Sequence, residues 1–200
     1  MRWIQHWKIG TDCMGRYSSL AFQLGTILPD WFERKPIHRT NESLDLILNR
    51  LDIISRMSEG IKRDFMLGTV VHFITDYCCF AHVDNHYNNW IAHRIYEVKS
   101  QKLYCNQYTY NYILNMDNFY NKFIQEVELT DNMYINIEIY LHQFKNQLQY
   151  RYITPNMKWY RDTNIMNTDT IYAYNMIYGI LMLLGEFNTN ELYIKGGLYV

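Results

Sequence analysis

Asp64-Phe65-Met66-Leu67-Gly68-Thr69-Val70-Val71-His72-Phe73-Ile74-Thr75-Asp76, continuing through Cys78-Cys79 to Phe80, is the stretch that decides the fold. From Ile61 to Phe80 the chain is apolar nearly all round, without proline. Such a run reads as a helix covered on every side, so it belongs at the centre of a helical bundle. Just upstream, Thr40 to Met57 carries Leu44, Ile47, Leu48, Leu51 and Ile54 at steps of three and four, and Ser58-Glu59-Gly60 closes it. That spacing puts the apolar residues on one face of an amphipathic helix. Further helical patterns run from about Tyr87 to Gln101, Tyr108 to Val127, Asp131 to Tyr150 and Thr168 to Glu186. Proline occurs only at 29, 36 and 155, and no long run alternates β-branched with polar residues, so strands have little support. With neither an internal repeat nor a low-complexity linker, the expected fold is all-α, one multi-helix bundle spanning residues 1–200 as a single domain.

Composition agrees with this and narrows the function. The 200 residues (24.3 kDa) are 48% hydrophobic and 20% charged, which excludes disorder and a disulfide-dense scaffold. A formal net charge of -1 provides no global field for nucleic acid or anionic lipid. Cys13, Cys78, Cys79 and Cys105 match no zinc-ribbon spacing and read as reduced core residues. The first residues show no apolar stretch followed by a cleavage site, and Ile171 to Leu184, broken by Asn175 and Gly179, is shorter than the roughly 20 residues of a membrane helix. A cytoplasmic chain with a buried core helix there is the expectation.

The chemistry concentrates in the histidines. Six of seven, His6, His38, His72, His82, His86 and His93, precede residue 94, leaving only His142 beyond it. His72 and Asp76, four apart, leave the same face of the central helix one turn apart and can grip one metal ion. Amid Val70, Val71, Phe73 and Ile74, a carboxylate without a cation or strong donors would cost several kcal/mol in desolvation. A buried His–Asp hydrogen bond tying two helices is the plainer alternative. His93 and Glu97 repeat the spacing on the next helix, with His82 between the pairs, although Arg94 could instead pair with Glu97 on a solvated face. The stretch from Leu28-Pro29-Asp30-Trp31 to Pro36-Ile37-His38-Arg39 reads as a proline-punctuated loop that adds Asp30 and His38, although a loop Asp could equally form a turn or cap a helix. Imidazoles and carboxylates without cysteine suit zinc, and multinuclear sites of this kind position a water for attack on phosphate esters. His86 and Asp84 read more simply as loop residues, and His142 as a helix-surface residue.

These residues, in this order, resemble the zinc-dependent phospholipase C family. The run from Leu67-Gly68 through His72-Phe73-Ile74-Thr75-Asp76 to His82 is similar to that family's Leu-Gly, His-aromatic-x-x-Asp, x-His signature, and His93-Arg94-Ile95-Tyr96-Glu97 to its His-x-x-Tyr-Glu element. The resemblance spans about residues 28 to 97 and implies an all-helical bundle around a zinc cluster. It implies that Asp30, His38, His72 and Asp76 hold one zinc and His82, His93 and Glu97 another. Asp76 would bridge towards a third ion, with His6 as its histidine and Trp3 in the matching region, giving two or three ions. It further implies that Trp31 helps enclose a choline head group and that Asp30 is both ligand and proton acceptor. One departure is Phe80, where the family usually has proline. The implied reaction is cleavage of a phospholipid to diacylglycerol and a phosphorylated head group, with peripheral membrane contact and no stable nucleic-acid partner. A zinc-dependent single-strand nuclease, its tyrosines stacking bases, and a non-catalytic zinc-stabilised helical protein are the alternatives.

Overall fold

The structure, a computed structural model, describes residues 3–15, 18–32, 40–83, 89–106, 122, 125, 130–148 and 159–185. Among them are eight α-helices and no strand: α1 (Trp3–Met14), α2 (Leu20–Ile27), α3 (Pro29–Phe32), α4 (Thr40–Ser55), α5 (Ile61–Cys78), α6 (Trp90–Asn106), α7 (Met133–Leu148) and α8 (Thr163–Leu183). Single 3₁₀ turns stand at Phe80–His82 and Trp159–Arg161.

α5 is the axis of the bundle. Every residue from Leu67 to Cys78 is buried, because α1, α2, α4 and α8 all pack around this helix. Its first turn projects, leaving Ile61 and Lys62 exposed. The crossing with α2 is a backbone contact: a Cβ on Gly68 would lie 2.1 Å from the Phe22 carbonyl oxygen, and one on Gly25 2.2 Å from that of Phe65. Only hydrogen fits at either place. α2 itself starts at Ser19, whose hydroxyl accepts the Phe22 N–H (3.2 Å).

The outer helices are fastened by their apolar faces and a few buried hydroxyls. α4 buries Leu44, Ile47, Leu51 and Ile54, the face its periodicity predicts, and stops two residues before Met57. α8 is buried at Tyr174, Met176, Ile177, Ile180 and Leu181; it is a core helix, and no helix among the described residues is long and apolar enough to cross a membrane. Tyr140 of α7 donates to the Asn175 carbonyl (2.6 Å), and Tyr174 of α8 donates to Asp12 of α1 (2.7 Å). Cys13, Cys78 and Cys79 are buried cysteines, burial pushing the thiol of Cys79 up to about 12; the Cys105 side chain lies outside the described residues.

Three helices, α1, α2 and α3, go beyond the periodicity argument, which begins at Thr40; α3 is a single helical turn where the sequence reads as a loop, because Pro29 at its first position suits a helix start. α1 carries its buried residues Gln5, His6, Ile9, Gly10 and Cys13 on a face that polar and small residues disguise. α8 begins at Thr163, five residues before the predicted start, because Asp162 caps it by accepting the Asn164 and Ile165 amides. Most of the helix expected from Tyr108 to Val127 lies outside the described residues.

Candidate metal centre

α5 presents His72 and Asp76 one turn apart, both fully buried. The ring N–H of His72 at Nδ1 donates to the Thr26 carbonyl of α2 (3.0 Å), so its Nε2 faces Asp76 Oδ2 (3.3 Å) and Asp30 Oδ1 (3.8 Å). From α1, His6 Nδ1 meets the Thr75 hydroxyl, and that hydroxyl gives its own proton to the His72 carbonyl (2.6 Å). The hydroxyl must then accept from His6, which leaves His6 Nε2 facing Asp76 Oδ1 (3.5 Å) and Asp30 Oδ2 (3.8 Å). With the outer nitrogens protonated, the inner nitrogens of neutral rings turn lone pairs towards carboxylate oxygens. Only a proton or a cation between them makes that arrangement favourable.

A proton is the poorer choice at neutral pH. Burial, reinforced by the neighbouring His72, pushes His6 well below the usual histidine range, and burial brings His82 down to about 3. Burial alone would raise the Asp76 carboxyl, but His82, His6 and His72 around it outweigh that and hold it well below the usual carboxylate range. Asp76 is therefore held as the carboxylate at neutral pH. Two ligand atoms on one tetrahedral zinc, each about 2.1 Å from the ion, stand about 3.4 Å apart. The separations of 3.3 to 3.5 Å between Asp76 and His6, His72 and His82 fit that edge length, whereas N–H···O bonds centre on about 2.9 to 3.0 Å.

A second group adjoins the first. α5 ends at Cys78, Cys79 is extended, and the 3₁₀ turn Phe80–His82 swings His82 back so that its Nδ1 lies 3.4 Å from Asp76 Oδ1. The His82 and His93 rings are 4.9 Å apart, and His93 Nε2 lies 3.3 Å from Glu97 Oε1 on α6. Arg94 takes the other Glu97 oxygen (3.3 Å), so the salt bridge and the His–Glu pair coexist. Burial would raise the Glu97 carboxyl; the His93 hydrogen bond overrides it and brings the group down to about 2. His6, His72 and Asp76 form one set of atoms close enough to hold an ion, and His82, His93 and Glu97 another.

The family described as zinc dependent phospholipase C matches residues 6–164, most of the chain. This chain belongs to the zinc dependent phospholipase C family. No curated protein and no solved structure matches it. The family match begins at His6 and takes in every residue of both groups.

Within this phospholipase C family chain, the residues singled out from sequence fall into distinct places. Asp30, in the first turn of α3, lies against His6 and His72 at the edge of the first group, its side chain 29% exposed. The resemblance implied His6 for a third ion; here the His6 and His72 rings lie tilted against each other, centroids 4.0 Å apart, and each Nε2 faces an oxygen of Asp76. Trp31 follows Asp30 and is exposed. His38, Asp84 and His86 lie outside the described residues. His142 is on the exposed side of α7, 3.9 Å from Glu138. Sequence reasoning missed the groups that orient the ligands. Thr75, three after His72 and one before Asp76, was open to discovery by its helical spacing. The Thr26 carbonyl carries no sequence signal at all. Asp169 is the third omission: fully buried on α8, it accepts from the Phe80 N–H (2.6 Å) and the Tyr96 hydroxyl. A helix starting at Thr168 would put an aspartate in its first turn, where acids are ordinary, and so its burial went unremarked.

Proposed function

We propose that the chain is a zinc-dependent phosphodiester hydrolase of the phospholipase C type, cleaving phospholipids to diacylglycerol and a phosphorylated head group. The observation that carries this reading is the buried carboxylate of Asp76 shared by two donor groups, its Oδ1 facing His6 and His82 and its Oδ2 facing His72. Two or three zinc ions held there would polarise phosphoryl oxygens and supply an activated water at neutral pH. In this reading His6, His72 and Asp76, with Asp30 and His38, hold one part of the cluster, and His82, His93 and Glu97 hold the other.

Asp30 is assigned the proton from the attacking water, because it is the carboxylate of the first group that reaches solvent; Asp76 is sealed from it. An accessible ligand at the edge supports an open, catalytic site over a closed structural one. Trp31 and Phe32, 71% and 77% exposed, follow Asp30 directly, and Trp90, 72% exposed, opens the helix that bears His93. Large exposed rings beside the site support a head-group contact at Trp31 and peripheral contact with a lipid surface. A net charge of -1 favours no stable nucleic-acid partner. The burial of Cys13, Cys78 and Cys79 as core thiols supports a reducing, cytoplasmic setting, and the packing of α8 against α5 and α6 supports one domain over residues 1–200.

The test is hydrolysis of phosphatidylcholine vesicles and of single-stranded DNA, side by side, before and after chelation and with zinc restored. Diacylglycerol and phosphocholine should appear, vanish with chelator and return with zinc, and Trp31→Ala should lower the rate without lowering zinc content. Cleavage of DNA alone would make the chain a nuclease. Full zinc occupancy with neither activity would make it a zinc-stabilised helical protein.

A further inference from the structure

The second donor group is drawn from two elements that no helix joins: His82 stands on the turn Phe80–His82, and His93 and Glu97 stand on α6. Their relative position must be fixed by something else. Asp169 reaches both. Its Oδ2 accepts the backbone N–H of Phe80, the residue that opens the turn (2.6 Å), and the hydroxyl of Tyr96, which sits between His93 and Glu97 on α6. Trp159 walls the place off from solvent, its ring 5.6 Å from Phe80 and 5.5 Å from Tyr96. Charge-assisted hydrogen bonds inside such an apolar wall are stronger than their solvated counterparts and leave the donors little room to shift.

We propose that Asp169 is a positioning residue for the second donor group, locking the His82 turn to α6 so that His82, His93 and Glu97 converge on one ion. The first group does not depend on this bond, because His6, His72 and Asp76 are oriented by Thr75, Thr26 and α5 itself. The inference rests on the metal-binding reading of the second group.

The experiment measures zinc stoichiometry by elemental mass spectrometry and affinity by competition against a chromophoric chelator, with thermal melting of the metal-free protein. Glu97→Gln identifies the class of ion belonging to the second group. Asp169→Ala should weaken that class by about 10- to 100-fold and leave the other class unchanged, the loss expected when a group behind a metal ligand is removed. Asp169→Asn, which keeps an oxygen for the Phe80 N–H, should recover most of the affinity. Tyr96→Phe, which keeps the ring beside Trp159, should show a smaller loss confined to the same class. Those two variants decide the matter if the alanine variant does not fold. Equal weakening of both classes, in step with the metal-free melting point, would reduce Asp169 to a general structural role and overturn the proposal. So would an unchanged second class in Tyr96→Phe, or an Asp169→Asn variant that weakens both classes alike. If Glu97→Gln removes no ion, the metal reading of the group fails first.

Discussion

Asp76→Asn should lower stability without metal and lower it further with zinc. In the metal-free protein Asp76 is a buried carboxylate facing His6, His72 and His82 at 3.3 to 3.5 Å, and these neighbours outweigh burial and hold its carboxyl well below the usual range, so the fold favours the charged form. Removing one partner from a buried charged group costs about 3–5 kcal/mol. Asparagine returns about 1 kcal/mol by offering an amide N–H to an imidazole. A loss of about 2–4 kcal/mol follows, and at about 2–4 °C per kcal/mol for a domain of this size the metal-free Tm should fall by about 4–16 °C. With zinc the loss deepens. An ion at a hundred times its Kd stabilises the wild type by about 2.7 kcal/mol, and the variant forfeits that for each ion Asp76 shares. Differential scanning calorimetry in chelator and in buffered zinc reads both numbers. A metal-free Tm that rises, together with an undiminished zinc-induced rise, would refute the reasoning.

Thr75→Val removes the acceptor for His6 and frees its ring to turn; zinc affinity at the first group should fall by about 10- to 100-fold, measured by competition titration. Gly68→Ala forces a methyl group to within 2.1 Å of the Phe22 carbonyl oxygen, so the α2–α5 crossing must open; a loss of about 3 kcal/mol or more should appear in urea unfolding, and a loss under about 0.5 kcal/mol would contradict the contact. Acid should destabilise the metal-free protein. His82 titrates at about 3 when folded and an unfolded histidine near 6.5, so the unfolded chain binds the proton the folded chain refuses. Stability from this source is whole above about pH 6.5 and declines as pH falls towards 3, with His6 adding in the same direction and Asp76 below about pH 4. Urea midpoints across that range should fall; a flat profile would show that these histidines are not buried neutral.

The legible parts of the sequence are those whose signal is local. The nearly all-apolar run to Phe80 announced α5 as the centre, and the four-residue spacing of His72 with Asp76 and of His93 with Glu97 placed each pair on one helical face. Convergence was not local. His6 lies 66 positions before His72, and no periodicity in Trp3–Met14 marks its ring as lying with its centroid 4.0 Å from that partner. The same holds for backbone acceptors: the Thr26 carbonyl that fixes the His72 tautomer would serve equally well on any residue type. Asp169 was hidden by a helix start read five residues late, since the true cap, Asp162, precedes a polar stretch, Thr163-Asn164, that looks like loop. The Leu67-Gly68 pair acquires its reason only in three dimensions, where Gly68 lets the α2 backbone approach and carries Thr26 to His72.

The central claim is that Asp76 and the histidines around it form a cation site. Its most direct test is the metal content of untagged protein purified without chelator or added zinc, by elemental mass spectrometry, for the wild type and for Asp76→Asn. At least two zinc ions per chain in the wild type, with loss of zinc in the variant, is the predicted result. A wild type that takes up no zinc even after reconstitution, or a variant that retains all of it, would contradict the account.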